Sequence, residues 1–240
     1  MQTPDYSKLF YLFEGVTGEL LPDEMYTTVR GFIATENLYL SATREIATKL
    51  ENLNDEFRYT HDRNPIHQIK TRVKTPASIM SKLKKKGCKL SVESARENLS
   101  DIAGVRVICS YIDDTYLIKD LLLAQDDIKL IRMSDYIREP KPNGYRSLHL
   151  IVTVPVFMTS CVEEVHVEVQ IRTIAMDFWA SLEHELAYKL DKAQQDSVSN
   201  ELKSCAVEIA DLDGRMQRLH NVSKAEQDQP GYLQERSRDH

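Results

Sequence analysis

Apolar residues recur with helical spacing from about Asp23 to Phe57, at Val29, Phe32, Ile33, Leu38, Leu40, Ile46 and Leu50. With few breakers between them, they predict one long helix or two in succession. Asn64-Pro65 ends that pattern, because the residue before a proline is pushed out of the helical region. Arg72 and Lys74 then occupy alternate positions of an extended segment. Thr75-Pro76 marks a helix start and Gly87 its stop, with Ile79, Met80 and Leu83 turned inward. The run IAGVRVICSYI, Ile102 to Ile112, is rich in β-branched residues and reads as a largely buried strand. Asp113-Asp114 cap a helix to about Ala124, IKLIRM follows as a short strand, and a Pro/Gly loop from Glu139 to Gly144 leads into the strand YRSLHLIVTVPV. Val165 to Arg172 alternates most cleanly. Valines and Ile171 take one face, and His166, Glu168, Gln170 and Arg172 take the other. Helices from about Ile174 to Leu190 and from about Ser199 to Val222 close the pattern. The expected fold is a mixed α/β (α+β) domain around one sheet of about five strands. Consecutive strands without intervening helices argue against a doubly wound parallel fold.

A length of 240 residues, 28% of them charged and 42% hydrophobic, fits one buried domain with helical extensions and excludes wholesale disorder. The expected divisions are an N-terminal helical region (1–64), the core (65–190), a C-terminal packing helix (191–222) and a polar, mobile tail (223–240). No apolar run is long enough for a membrane span, and the opening MQTPDYSKLF carries no export pattern. The four cysteines have no CxxC pair and read as free thiols of a reducing cytoplasm.

The net charge of -6 argues against general DNA or RNA binding, yet the charge is segregated. Between Lys70 and Lys89 stand eight basic residues and no acid. The bland reading is a solvated helix face. The functional one is a polyphosphate cradle, since cations flank a helix N-terminus and Ser78, Lys82 and Lys85 share one helical face. Asp101 heads the buried strand. If it neighbours Glu168, the two carboxylates can share a Mg²⁺ ion with substrate phosphates, whereas a turn-capping Asp101 would not. The loop KPNGY brings Lys141 and Asn143, then places Tyr145, Ser147 and His149 on one strand face, where Tyr145 can offer its ring to a nucleobase. Two nucleotide sub-sites with a metal between them suit phosphoryl-type transfer from a nucleoside triphosphate to a hydroxyl, with Glu168 as the proton acceptor. The rival is a nucleotide- or RNA-binding regulator without turnover. It gains nothing from two carboxylates beside its ligand.

RVKTPASIMSKLKKKG, DIAGVRVIC, DYIREPKPNGYRSLHL and VEVQIRTIAMDFWASLEHELAYK together resemble the synthetase domain of the RelA/SpoT family, and in particular its single-domain small alarmone synthetases. The resemblance runs from about Pro65 to Lys189. It implies a nucleotidyltransferase-like fold and a pyrophosphokinase that moves the β,γ-diphosphate of ATP to the ribose 3'-hydroxyl of GDP or GTP, giving (p)ppGpp and AMP. By the same resemblance Asp101 and Glu168 hold Mg²⁺, with Glu168 the base. Arg72 and Arg106 sandwich adenine, which reassigns Arg72 from phosphate to base. Lys74, Ser78, Lys82 and Lys85 contact the ATP phosphates. Tyr145 stacks on guanine, and Lys141, Asn143, His149, Gln170 and Arg172 belong to the acceptor side. It also implies a homotetramer joined through its helical ends, and since the chain is too short for the hydrolase domain of long family members, it is expected to make alarmone without degrading it. The stretch His67 to Thr71 differs from the form carried by product-activated members.

Overall fold

The computed structural model describes residues 23–189 and 192–227. Side chains at 23–30, 32–34, 187–189 and 192–197 fall outside the description, and with them Val29, Phe32 and Ile33. So does the polar tail beyond Gln227. Helix α1 (Asp23–Thr60) is one continuous element of 38 residues, which resolves the choice between one helix and two. Leu38, Ala42, Ile46 and Leu50 recur every four residues, and all are buried.

Strand β1 (Ile66–Val73) is followed by α2 (Pro76–Lys85), α3 (Val92–Asn98) and β2 (Ala103–Cys109). Then come α4 (Ile112–Leu123), β3 (Lys129–Asp135), β4 (Leu148–Phe157), β5 (Val162–Thr173), α5 (Ile174–Lys189) and α6 (Lys192–Gln227). The strands form one five-stranded sheet in the order β1-β2-β5-β4-β3. β2 and β5 run parallel, and the other pairs are antiparallel. Val105, Val107, Leu150, Val152, Val167 and Val169 join α1 and the α4 residues Ile118 and Leu122 in a single core. The alternate residues of the same strands form a second, polar face.

Several boundaries differ from the expected ones for local reasons. The β2 ladder stops at Cys109, because Tyr111 is the N-cap of α4 and Asp114, not Asp113, closes its capping box. Asp114 is held in turn by both terminal nitrogens of Arg63, at 2.8 and 2.5 Å. β4 begins at Leu148 and not Tyr145, since residues 145–147 are tied to their own loop: Lys141 N donates to Tyr145 O and Tyr136 N to Ser147 O. Thr75 caps α2 through its hydroxyl, which accepts from Ser78 N, and Gly87 stops the helix with φ 68°. The last helix runs past the expected Val222 to Gln227. It is tied to α5 and to α4, since Trp179 Nε1 donates to Leu202 O and Gln217 Oε1 accepts from Asp113 N.

Candidate active site

The register of the sheet builds the polar face as two rungs. Arg72 on β1 lies opposite Gly104 on β2, which lies beside Glu168 on β5. One rung along, Lys70 faces Arg106, then Gln170, then His149 on β4. Gly104 has no side chain between Arg72 and Glu168, so the sheet floor stays open there. A cavity of about 530 Å³ stands on it, lined by Arg72, Lys74, Asp101, Arg106, Glu168 and Gln170 among others. Six sequence-selected residues thus surround one space.

Asp101 precedes β2, and the two lysines nearest it converge on one oxygen. Lys74 Nζ is 3.0 Å and Lys82 Nζ 2.5 Å from Oδ2. Oδ1 is buried with no hydrogen-bond partner. Such an orphaned carboxylate oxygen is costly unless a ligand completes it. Burial pushes the Asp101 carboxyl up, but the hydrogen bonds from Lys82 and Lys74 outweigh it and hold it below the ordinary range. Glu168 follows the same balance. Burial raises it, the hydrogen bond and charge of His149 and the bond from Gln170 lower it further than that, and the Asp101 charge pushes it back up. His149 Nδ1 is 3.1 Å from Glu168 Oε1, and Gln170 Nε2 donates to Oε2 at 3.0 Å. Two ionised carboxylates therefore face one space, one of them with an oxygen to spare. The described residues contain no cluster of three or more His, Cys, Asp or Glu able to enclose a metal. The donor set matches a hard cation that keeps open positions for phosphate oxygens.

Tyr145 is held by its hydroxyl. Arg172 Nη2 donates to it at 2.6 Å and Ser147 Oγ at 3.0 Å, while His149 Nε2 lies 2.8 Å away. The carboxylate of Glu168 can only accept, so the proton of this contact sits on His149 Nδ1. Lys141 Nζ lies 4.6 Å from the centre of the Tyr136 ring and 4.7 Å from that of Tyr145. Asn143 acts inside the loop, its Oδ1 accepting from Tyr145 N and its Nδ2 reaching Glu183. Gly144, at φ 92°, is required twice over. A Cβ there would stand 2.5 Å from that of Ala206 on α6.

The remaining selected residues are less engaged. Ser78 is exposed, its Oγ accepting from Thr75, and Lys85 is exposed in the last turn of α2, outside the cavity lining. Two neighbours went unselected. Tyr136 packs edge-on against Tyr145 and His149, and its signal was an aromatic at the head of YIREPKPNGY. Asp177, in the first turn of α5, binds Lys70, Arg106 and Arg172. Its only sequence signal was an acid just inside a helix start.

Residues 71–193 match a family model described as a region found in RelA/SpoT proteins. The chain is 43% identical over 194 residues to the GTP pyrophosphokinase YwaC of Bacillus subtilis (strain 168), covering 81% of this chain and 92% of that protein. To the GTP pyrophosphokinase YjbM of the same organism it is 37% identical over 181 residues, 75% of this chain and 84% of that one. The crystal structure of the small alarmone synthetase 1 from Bacillus subtilis bound to its product pppGpp superposes with a TM-score of 0.71 at 35% identity, covering 78% of this chain and 94% of that one.

Proposed function

Because this chain belongs to the RelA/SpoT family, we propose that it is a small alarmone synthetase that transfers the β,γ-diphosphate of ATP to the 3'-hydroxyl of GDP or GTP. It makes (p)ppGpp and releases AMP. The observation that carries the reading is the pair Asp101 and Glu168, meeting at one cavity between a cationic donor side and an aromatic acceptor side.

In this reading Arg72 and Arg106 take adenine between their guanidiniums. Lys74, Lys82, Ser78 and Lys85 gather the phosphates, the two lysines nearest Asp101 turning from its carboxylate to the triphosphate. Guanine stacks on Tyr145 in place of the Lys141 ammonium, and Asn143, His149, Gln170 and Arg172 hold the acceptor pocket in shape. The 3'-oxygen bonds to the β-phosphorus as the bond from that phosphorus to the α,β-bridging oxygen breaks, and AMP leaves with that oxygen. Glu168 Oε2 takes the hydroxyl proton. Its depressed pKa keeps it ionised and makes it a weak base, so the proton leaves as the new bond forms. Asp101 and Glu168 would hold Mg²⁺, which supplies charge neutralisation on the phosphate oxygens when bound.

Mixing protein, ATP, Mg²⁺ and GDP or GTP should release AMP and a guanosine nucleotide with two added phosphates. Glu168→Gln and Asp101→Asn should each lower that rate by about 100-fold or more at unchanged fold, in line with loss of a general base or a charge clamp. Full activity in either variant ends the assignment. A nucleotide-binding regulator without turnover would bind both nucleotides and release no AMP.

We also infer a cytoplasmic homotetramer. Ile174, Phe178, Leu182 and Leu186 recur every four residues along α5, and Leu212, Met216 and Leu219 follow at spacings of four and three along α6; all are exposed. Apolar stripes of this length support contact with further copies of the chain. Among the described residues no helix is long and apolar enough to cross a membrane.

A further inference from the structure

Asp177 lies between the two nucleotide half-sites and touches both. Its Oδ1 accepts from Arg106 Nη1 at 3.2 Å and from Arg172 Nη1 at 3.2 Å, while Oδ2 stands 3.5 Å from Lys70 Nζ. The carboxylate is 11% exposed and the Arg172 side chain 5%. Arg106 lines the donor cavity. Arg172 leads the other way. Its Nη2 donates to Tyr145 Oη at 2.6 Å and to Gln170 Oε1 at 2.8 Å, and Gln170 donates to Glu168 Oε2 at 3.0 Å. A single carboxylate therefore joins the donor guanidinium to the acceptor tyrosine and to the reacting carboxylate.

The junction is unevenly satisfied. Two guanidiniums share one oxygen, so neither uses its two-pronged fork on Asp177. Arg106 Nε and Arg172 Nε are both buried without partners. Burial lowers the Arg106 pKa, and the nearby Arg172 charge lowers it further. The two cations compete for Asp177, and whatever draws one away strengthens the hold on the other.

We propose that Asp177 is a positioning residue that makes the binding of the two nucleotides cooperative. A purine ring stacked on Arg106 draws that guanidinium off Oδ1. The freed carboxylate then takes Arg172 more fully, which fixes the Tyr145 hydroxyl and Gln170 for the acceptor. The effect is reciprocal, because a coupling between two sites acts equally in both directions. The proposal rests on the synthetase reading above, and its test separates the two.

Calorimetry with a non-hydrolysable ATP analogue, Mg²⁺ and GDP measures the affinity for each nucleotide alone and with the other saturating. In the natural protein each should raise the affinity for the other by about fivefold or more, within the usual range of inter-site coupling. In Asp177→Asn that factor should fall below about twofold, with both nucleotides still binding. A residue with a merely structural role would weaken both affinities and leave their ratio standing, so a factor kept in Asp177→Asn overturns the proposal. A natural protein with a factor near one overturns it with no variant needed. If Asp177→Asn loses its cooperative melting transition, Asp177→Glu replaces it. That variant keeps the charge and is expected to keep the coupling, and complete loss of coupling in folded Asp177→Glu counts against the proposal. If the natural protein binds neither nucleotide, the synthetase reading itself fails.

Discussion

Tyr145 offers its ring and its hydroxyl to different tasks. In the proposed reading the ring is the acceptor shelf, and the hydroxyl is the knot where Arg172, Ser147 and His149 meet. Two substitutions separate these roles. Tyr145→Ala should raise the KM for GDP by about 5- to 150-fold, the equivalent of 1–3 kcal/mol of lost stacking, with little change in the KM for ATP. Tyr145→Phe keeps the shelf but removes the acceptor of Ser147 Oγ and leaves Arg172 Nη2 with Gln170 Oε1 alone, so its loss should appear chiefly in kcat. Equal losses for both nucleotides in Tyr145→Ala would remove the stacking role. Asp101 makes a different kind of prediction. Its pKa is held below the ordinary range in the native state, so the unfolded chain binds the extra proton in the window between the two values. The stability it contributes is complete above the ordinary carboxylate pKa and is lost as pH falls through that window. Melting curves of Asp101→Asn without divalent ions should therefore fall less steeply below about pH 4 than those of the natural protein. An identical acid limb would show that the lysine pair leaves the carboxyl unshifted.

At the level of elements, what the sequence made legible was what burial imposes. β5 alternates because one face meets the core and the other a polar space, so Glu168 and Gln170 could be placed on one side from spacing alone. β1 has no such pattern. It is an edge strand with most of its residues exposed, and only Arg72 and Lys74 at alternate positions suggested extension. α3 is too short, at seven residues, to show a helical period. The grouping of the site was readable, whereas its pairings were not. Lys74 and Lys82 meeting on Asp101, or Asp177 between two arginines, depend on register and helix docking that no local period encodes. Gly104 belongs here too. A Cβ there would meet only ordinary contacts, the nearest 3.6 Å from Arg72 O, so alanine should be tolerated. A branched side chain would stand in the cavity between Arg72 and Glu168. Gly104→Val should thus fold with a normal circular dichroism spectrum and lose most ATP binding. Unchanged ATP affinity would move the donor site elsewhere.

Across the whole molecule, the exposed stripes on α5 and α6 set the prediction for assembly. Phe178→Asp with Leu182→Asp should shift the mass measured by light scattering from a tetramer to smaller species, because a buried interface cannot take up unpaired charge. A tetramer that survives both changes would move the interface away from α5. α6 also reaches the acceptor loop, since Ala206 packs where Gly144 lacks a side chain. Assembly through α6 would therefore bear directly on the loop that carries Tyr145. The parallel pairing in the sheet joins two strands far apart in the chain. β2 has β5 as its neighbour, and everything from α4 through β4 comes between the two in the sequence. On the ribosome, Arg72 and Arg106 emerge well before Glu168, and closing so long a loop is slow. A chain cut short before β5 lacks the strand that carries Glu168 and that joins β2 to β4, so it cannot finish the sheet.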